Sequence, residues 1–193
     1  MRRFLYAVVL MILIASCKKD RVANLPPVQP SMNYIDLHDT VVVFHRGAGF
    51  DLDGNQTKDV YFGTLLVGDP LMQQDKWQWL VSSSFYANLP VNHLEQIPRM
   101  NKDDLIPVEN FGNYNWYNAS TILLAQKVIG MTSTFWEGEW KNASHHFVPI
   151  QILKNNGRYN GWVEISFNMN EEKLVLHKAA VSIEADKIVK AGR

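Results

Sequence analysis

The 193-residue chain contains one cysteine. No disulfide can close within it, and a zinc site built on paired thiolates is excluded. Neither sign of charge is in surplus: Lys and Arg number 19, as do Asp and Glu. A nucleic-acid partner, which normally demands a basic face, is therefore not expected. No apolar run approaches the roughly 20 residues of a membrane-spanning helix. Also missing are His-Glu-x-x-His, Gly-x-Ser-x-Gly, Ser-x-x-Lys with its partner motifs, and any Walker A or dinucleotide fingerprint. No internal repeat stands out. What remains is 47% apolar and 20% charged, the composition of an ordinary folded protein. Its length suits one domain that buries a core without staples.

The N-terminus is distinctive. Arg2 and Arg3 precede an uninterrupted apolar run from Phe4 to Ile14, and Ile14-Ala15-Ser16-Cys17 follows at once. Eleven residues is the length of a secretory h-region. The pattern of branched apolar, small, small, cysteine resembles the lipobox of bacterial lipoprotein signal peptides. That resemblance implies cleavage before Cys17 and diacylation of its sulfur. It also explains an unpaired thiol in an exported chain, since two or three acyl chains make a stable anchor where one is marginal. The Cys17-Lys18-Lys19-Asp20 start is similar to lipoproteins of Bacteroidetes-type envelopes. Residues 1–16 are thus read as leader. Residues 17–33, with Pro26, Pro27 and Pro30, are read as acylated cysteine and extended tether. The expected address is the cell envelope, at the outer membrane, through the N-terminal lipid.

From 34 to 193 the chain reads as strands. Val41–Phe44, Val60–Val67, Trp77–Val81, Phe147–Leu153, Gly161–Phe167 and Leu174–Ile183 are β-branched and aromatic, most with period-two alternation. Asp53-Gly54, Gly68-Asp69-Pro70 and Asn155-Asn156-Gly157 supply turns, with Asn156-Gly157 expected to hold the positive φ values of a tight hairpin. Ser120–Val128 alone has helical character. Leu89–Asn118, with Pro90, Pro98 and Pro107, predicts long loops with short strands or one helical turn. The expected fold is all-β, a single antiparallel β-sandwich or jelly roll, with the last three strands in a meander.

Tyr159-Asn160-Gly161-Trp162-Val163, the following Ala179-Ala180 strand, the terminal Ala191-Gly192 and the early Asp51-Leu52-Asp53-Gly54 turn form an ordered series. Together they resemble an uncharacterised class of secreted bacterial β-domains. The resemblance implies fold and secretion. Where many members carry a second Asp-Gly in the early turn, this chain has Asn55-Gln56.

Two groups of residues are candidate binding sites. Asp51, Asp53, Asn55 and Asp59 offer side-chain oxygens at alternating positions, with the Thr57 carbonyl between them, a pattern suited to calcium. Gln56 and Phe62 stand where an EF-hand loop has its glycine and its bidentate glutamate, so this is not an EF-hand. Trp116, Tyr117, Trp136 and Trp140 are candidates for stacking on a glycan; the competing fate of such rings is core packing. The six histidines read as surface or strand-face residues, and the adjacent His145 and His146 would point to opposite faces of a strand. Glu137, Glu139 and Glu164 are candidates for a glycosidase carboxylate pair. The expected role is non-catalytic binding or presentation of a glycan or protein ligand. The alternatives are a glycan-directed hydrolase and a structural accessory subunit of an envelope complex.

Overall fold

The computed structural model describes residues 28–118 and 121–193; Cys17, the leader and most of the tether lie outside them. The described chain is all-β and forms two packed antiparallel sheets. The first contains β1 (Met32–Val42), β12 (Lys173–Ser182), β11 (Gly157–Asn168), β10 (His146–Lys154), β5 (Ala87–Val91) and β7 (Asn115–Tyr117), in that order. The second contains β2 (Ala48–Phe50), β3 (Val60–Asp69), β4 (Gln74–Ser83), β8 (Ile122–Gly130) and β9 (Thr134–Glu137). A two-stranded ribbon pairs β6 (Leu105–Ile106) with β13 (Val189–Lys190). The meander β10–β11–β12 is present as expected.

Alternation explains which face each residue takes. Val163, Ile165 and Phe167 of β11, with Leu174, Leu176, Ala179 and Val181 of β12, point into the core between the sheets. There they meet Phe62, Trp79, Val81 and Leu124 from the second sheet. A smaller core lies on the opposite face of the first sheet. Trp162, Ala180 and Phe147 pack there against Met100, Ile106, Val189 and Ala191. The meander is therefore buried on both sides along part of its length, and the loops and C-terminus that cover it are held by buried amides. Gln151 donates to Asn160 Oδ1 (2.9 Å) and the Val108 carbonyl (3.0 Å), while Asn160 donates to the carbonyls of Ile106 (3.1 Å) and Lys187 (3.2 Å). The Trp162 indole N–H donates to the Arg193 carbonyl at 3.1 Å.

Three expectations are corrected. The described part of Ser120–Val128, residues 121–128, is not helical: it enters β8, which pairs with β4, and a bulge opposite Trp79 and Leu80 breaks the alternation in Leu123-Leu124-Ala125. The 154–157 hairpin closes on Asn155 and Asn156, whose φ values are 50° and 60°, while Gly157 already belongs to β11. The first strand begins at Met32 and ends at Val42, before the expected Val43-Phe44. The stretch before it is docked as well, since Gln29 accepts from the Lys190 N–H at 2.7 Å and donates to the Arg193 carbonyl.

Gly161 opens the Trp162 segment where β12 comes close. A Cβ there would lie 2.4 Å from the Ala180 carbonyl oxygen, a backbone atom that cannot swing aside. Gly161→Ala is expected to cost about 1–3 kcal/mol and lower Tm by several degrees. Thermal unfolding checks this, and an unchanged Tm would contradict the packing.

Candidate functional site

The outer face of the first sheet is covered at the Trp162 end and open at the other. The open part is built by two coincident irregularities. On β12, Leu176 pairs with Ile165 and Lys178 with Glu164, leaving His177 as an extra residue. On β1, Asp36 pairs with Lys178 and Thr40 with Leu176, so Leu37, His38 and Asp39 stand opposite His177 alone, with Leu37 turned into the inner core. Bulges of this kind re-aim side chains. Leu176 and Ala179 both keep their places in the inner core, so His177 and Lys178 share the outer face. His38 and Asp39 adopt φ of 53° and 48°, a left-handed conformation that costs roughly 1 kcal/mol or more per residue.

A polar constellation gathers there. Ser166 Oγ accepts the His145 backbone N–H at 2.9 Å and donates to His177 Nε2 at 2.8 Å. His177 Nδ1–H then donates to Asp39 Oδ1 at 2.6 Å. A second imidazole lies over the first: the His145 and His177 rings are stacked with centroids 4.4 Å apart and planes inclined by 20°. His145 Nδ1–H donates to Glu164 Oε1 at 2.8 Å, and Lys178 Nζ stands 3.4 Å from Glu164 Oε2. Two shallow grooves meet at the histidine pair. One, about 550 Å³, is bounded by Lys141, Asn168, Asn170 and Lys173; the other, about 560 Å³, by Tyr34, Asp36 and Lys178. A serine hydroxyl, an oriented imidazole and a carboxylate in series are the parts of an activated nucleophile. Two imidazoles with carboxylates, a lysine and amides are equally the parts of a hydrogen-bonding surface for a polar ligand.

Comparison with protein-family models, curated proteins and solved structures finds no match. The chemistry of the chain must be read from its own residues.

The sequence-derived candidates scatter. Trp140 is 1% exposed and part of the inner core, so it offers no face to a ligand. Trp136 is half-buried and packs against Trp79 and Phe167 of the core. Trp116 is half-buried against the smaller core, and Tyr117 is exposed beside it on β7. These rings do not form one platform. Glu137, on β9 of the second sheet, accepts from Gln126 at 2.7 Å; Glu164 lies on the other sheet's outer face, and Gly138 at φ 103° breaks the strand before Glu139. The three carboxylates are not brought together. His145 sits in the turn before β10 with φ 52°, and its partner is His177, not the adjacent His146.

The early turn behaves differently. Asp51, Asp53 and Asp59 do converge. Asp51 accepts backbone N–H groups from residues 53 to 56, and these bonds hold its carboxyl below the usual range, against the opposing effect of burial. Asn55 Oδ1 is turned to the Thr57 N–H at 2.7 Å. Asp59 is pushed up to about 6, first by burial and then by the charges of Asp53 and Asp51, against a bond from the Leu52 N–H.

A raised carboxyl value means that the Asp59 contribution is intact at low pH and lost as pH rises through about 6. Besides burial, the charges of Asp53 and Asp51 oppose its ionisation, and the backbone N–H groups of Leu52 and Asp53 favour it; Lys154 is paired with Asp53. His146, held below its usual range mainly by burial, drives the opposite trend, so only a difference isolates Asp59. In metal-free buffer, wild type should gain on Asp59→Asn by up to about 2 kcal/mol between roughly pH 7 and pH 4.5. Thermal melts across that range measure the difference; a constant one would contradict the assignment.

Proposed function

We propose that the chain is a lipid-anchored lipoprotein of a bacterial cell envelope, moored to the outer membrane by acylation of Cys17. Its β-sandwich binds a hydroxyl-rich ligand of the glycan class in the grooves beside His145 and His177. The supporting observation is the stacked histidine pair, each ring tied to its own carboxylate. Such a site carries fixed donors and acceptors on an open face, where a sugar's hydroxyls find both. The strained backbone at His38 and Asp39 supports a functional reading, since left-handed non-glycine residues cluster at binding and active sites. No described helix is long and apolar enough to cross a membrane, which is compatible with anchorage by lipid.

The Ser166–His177–Asp39 series favours a second reading, acyl transfer. In it Ser166 Oγ attacks the carbonyl carbon of an ester, its proton passes to His177 Nε2, and Asp39 steadies the imidazolium, which gives that proton to the departing alkoxide as the ester C–O bond breaks; water then attacks the acyl-serine and returns the proton to Ser166.

A glycan array followed by calorimetry tests the first reading. His177→Ala and Glu164→Gln should each weaken binding at least tenfold with little change in Tm. Binding equal to wild type would contradict the site, and capture of a protein in place of a glycan would contradict the ligand class. A fluorophosphonate probe separates the second reading: covalent labelling that disappears in Ser166→Ala favours acyl transfer, and an unlabelled wild type rejects it. Radiolabelled palmitate should enter wild type and not Cys17→Ala; an unlabelled wild type would contradict the anchor.

A further inference from the structure

The loop between β2 and β3 carries a cluster of negative charge whose place in the fold the groove does not explain. One oxygen from each of Asp51, Asp53 and Asp59 lies within 4.8 Å of the others. Oxygens bound to one calcium ion at about 2.3–2.6 Å span that range. Two of the carboxylates are removed from water: Asp59 is 1% exposed and the Asp53 side chain 3%. Among the described residues, one ion pair reaches the trio, from Lys154 Nζ to Asp53 Oδ2 at 3.3 Å. Ionised, the three carboxylates and this ammonium leave a charge of about −2, and burying charge that is not paired is costly.

A second observation points the same way. Asp59 Oδ1 is fully buried and has no hydrogen-bond partner, although the other oxygen of that carboxylate is held by the Leu52 N–H at 2.7 Å. Orphaned buried acceptors are rare and call for an explanation. The backbone around Asp59 is pinned: its N–H donates to the Phe50 carbonyl and its carbonyl accepts from the Ser84 N–H, both at 2.8 Å. With Leu52 in the inner core between Asp51 and Asp53, the loop is fixed with its three carboxylates turned together.

We propose that this loop is a calcium site, with Asp51, Asp53 and Asp59 as its carboxylate ligands and solvent completing the coordination. A divalent ion supplies the two missing positive charges and a partner for Asp59 Oδ1. Calcium fits better than magnesium because irregular carboxylate sets with variable coordination number suit it, whereas magnesium demands near-octahedral geometry. Asn55 is left out of the set, its Oδ1 being used within the turn. The site would tie β2, the start of β3 and the end of β4 together. The inference is independent of the groove and of the lipid anchor.

Calorimetry and thermal melts on chelator-treated protein test it, with calcium chloride and magnesium chloride as the probes. One calcium site is expected, with Kd in the range of about 10⁻⁴ to 10⁻³ M typical of extracellular modules. At about ten times Kd, Tm should rise by roughly 3–6 °C, and magnesium at equal concentration should give a smaller shift. Asp53→Asn and Asp59→Asn should abolish the calcium shift. Lys154→Met, which removes the competing ammonium from a half-exposed position, should lower Kd several-fold, and it keeps the test valid if an aspartate variant fails to fold. Absence of heat and of a Tm shift in wild type would overturn the proposal. So would an unchanged shift in folded aspartate variants, or a Kd unaltered or raised by Lys154→Met.

Discussion

Between Leu176 and Ala179 the C-terminal meander drops one beat of its alternation. Both of those residues must reach the core between the sheets, yet two residues stand between them where a regular strand allows one or three. The bulge that resolves this conflict puts His177 and Lys178 on the same outer face. Because β1 runs alongside, it has to accommodate the same slip, and does so with Leu37, His38 and Asp39. The site thus follows from core packing. Hydrophobic burial on the inner face dictates where the register breaks, and the broken register dictates which polar groups meet outside. Burial of each large apolar side chain contributes about 1.5–3 kcal/mol, enough to outweigh the roughly 1 kcal/mol or more for each left-handed residue in β1.

The outer face of this sheet is divided between two solutions. Toward Trp162 it is covered by a second small core, and the backbone of the covering loops is satisfied by Gln151 and Asn160. Loss of either amide would strand buried partners, at about 1–3 kcal/mol each. Toward Ser166 no apolar group among the described residues covers it, and Ser166, His145, His177, Asp39 and Glu164 are paired with each other. The same three strands therefore carry a sealed half and an accessible half. The groove containing Met32 and Asn33 also contains Leu52 and Asp53, so the N-terminal end of the described chain and the acidic loop lie at one end of the sandwich. The β3–β4 hairpin tip, with exposed Leu71 and Met72, lies a strand length away along β3.

Most of the fold was legible in the sequence because period-two patterning survives wherever a strand is regular. Residues 60–67, 147–153 and 161–167 alternate or run β-branched, and each lies inside a strand. The misreading of 120–128 has a physical origin: a bulge makes Leu123-Leu124-Ala125 look continuous, and a continuous apolar run does not distinguish helix from strand. The groove was not legible. Asp39, His145, Ser166 and His177 are far apart in the chain, and no short motif links them. One signal was present, the phase slip in Leu174-Val175-Leu176-His177-Lys178-Ala179-Ala180-Val181, which a strict count of alternation exposes. The tryptophans misled because ring size predicts burial more strongly than it predicts binding, and Trp140 took that course. The acidic turn was partly legible: its three aspartates converge, while Asn55 serves the turn itself.

The hydrogen-bond series at the bulge has a fixed direction. The ionised Asp39 carboxylate can only accept from Nδ1, which leaves Nε2 of the neutral His177 ring as the acceptor of the single Ser166 Oγ proton. The ring proton must then reside on Nδ1, facing a carboxylate that can only accept. Long-range ¹H–¹⁵N correlation of the histidine rings, recorded where they are neutral, reads this arrangement directly. The account predicts the Nδ1–H tautomer for His177. An Nε2–H tautomer would set the Nδ1 lone pair against the Asp39 carboxylate and would contradict the convergence of the two bulges on which the site depends.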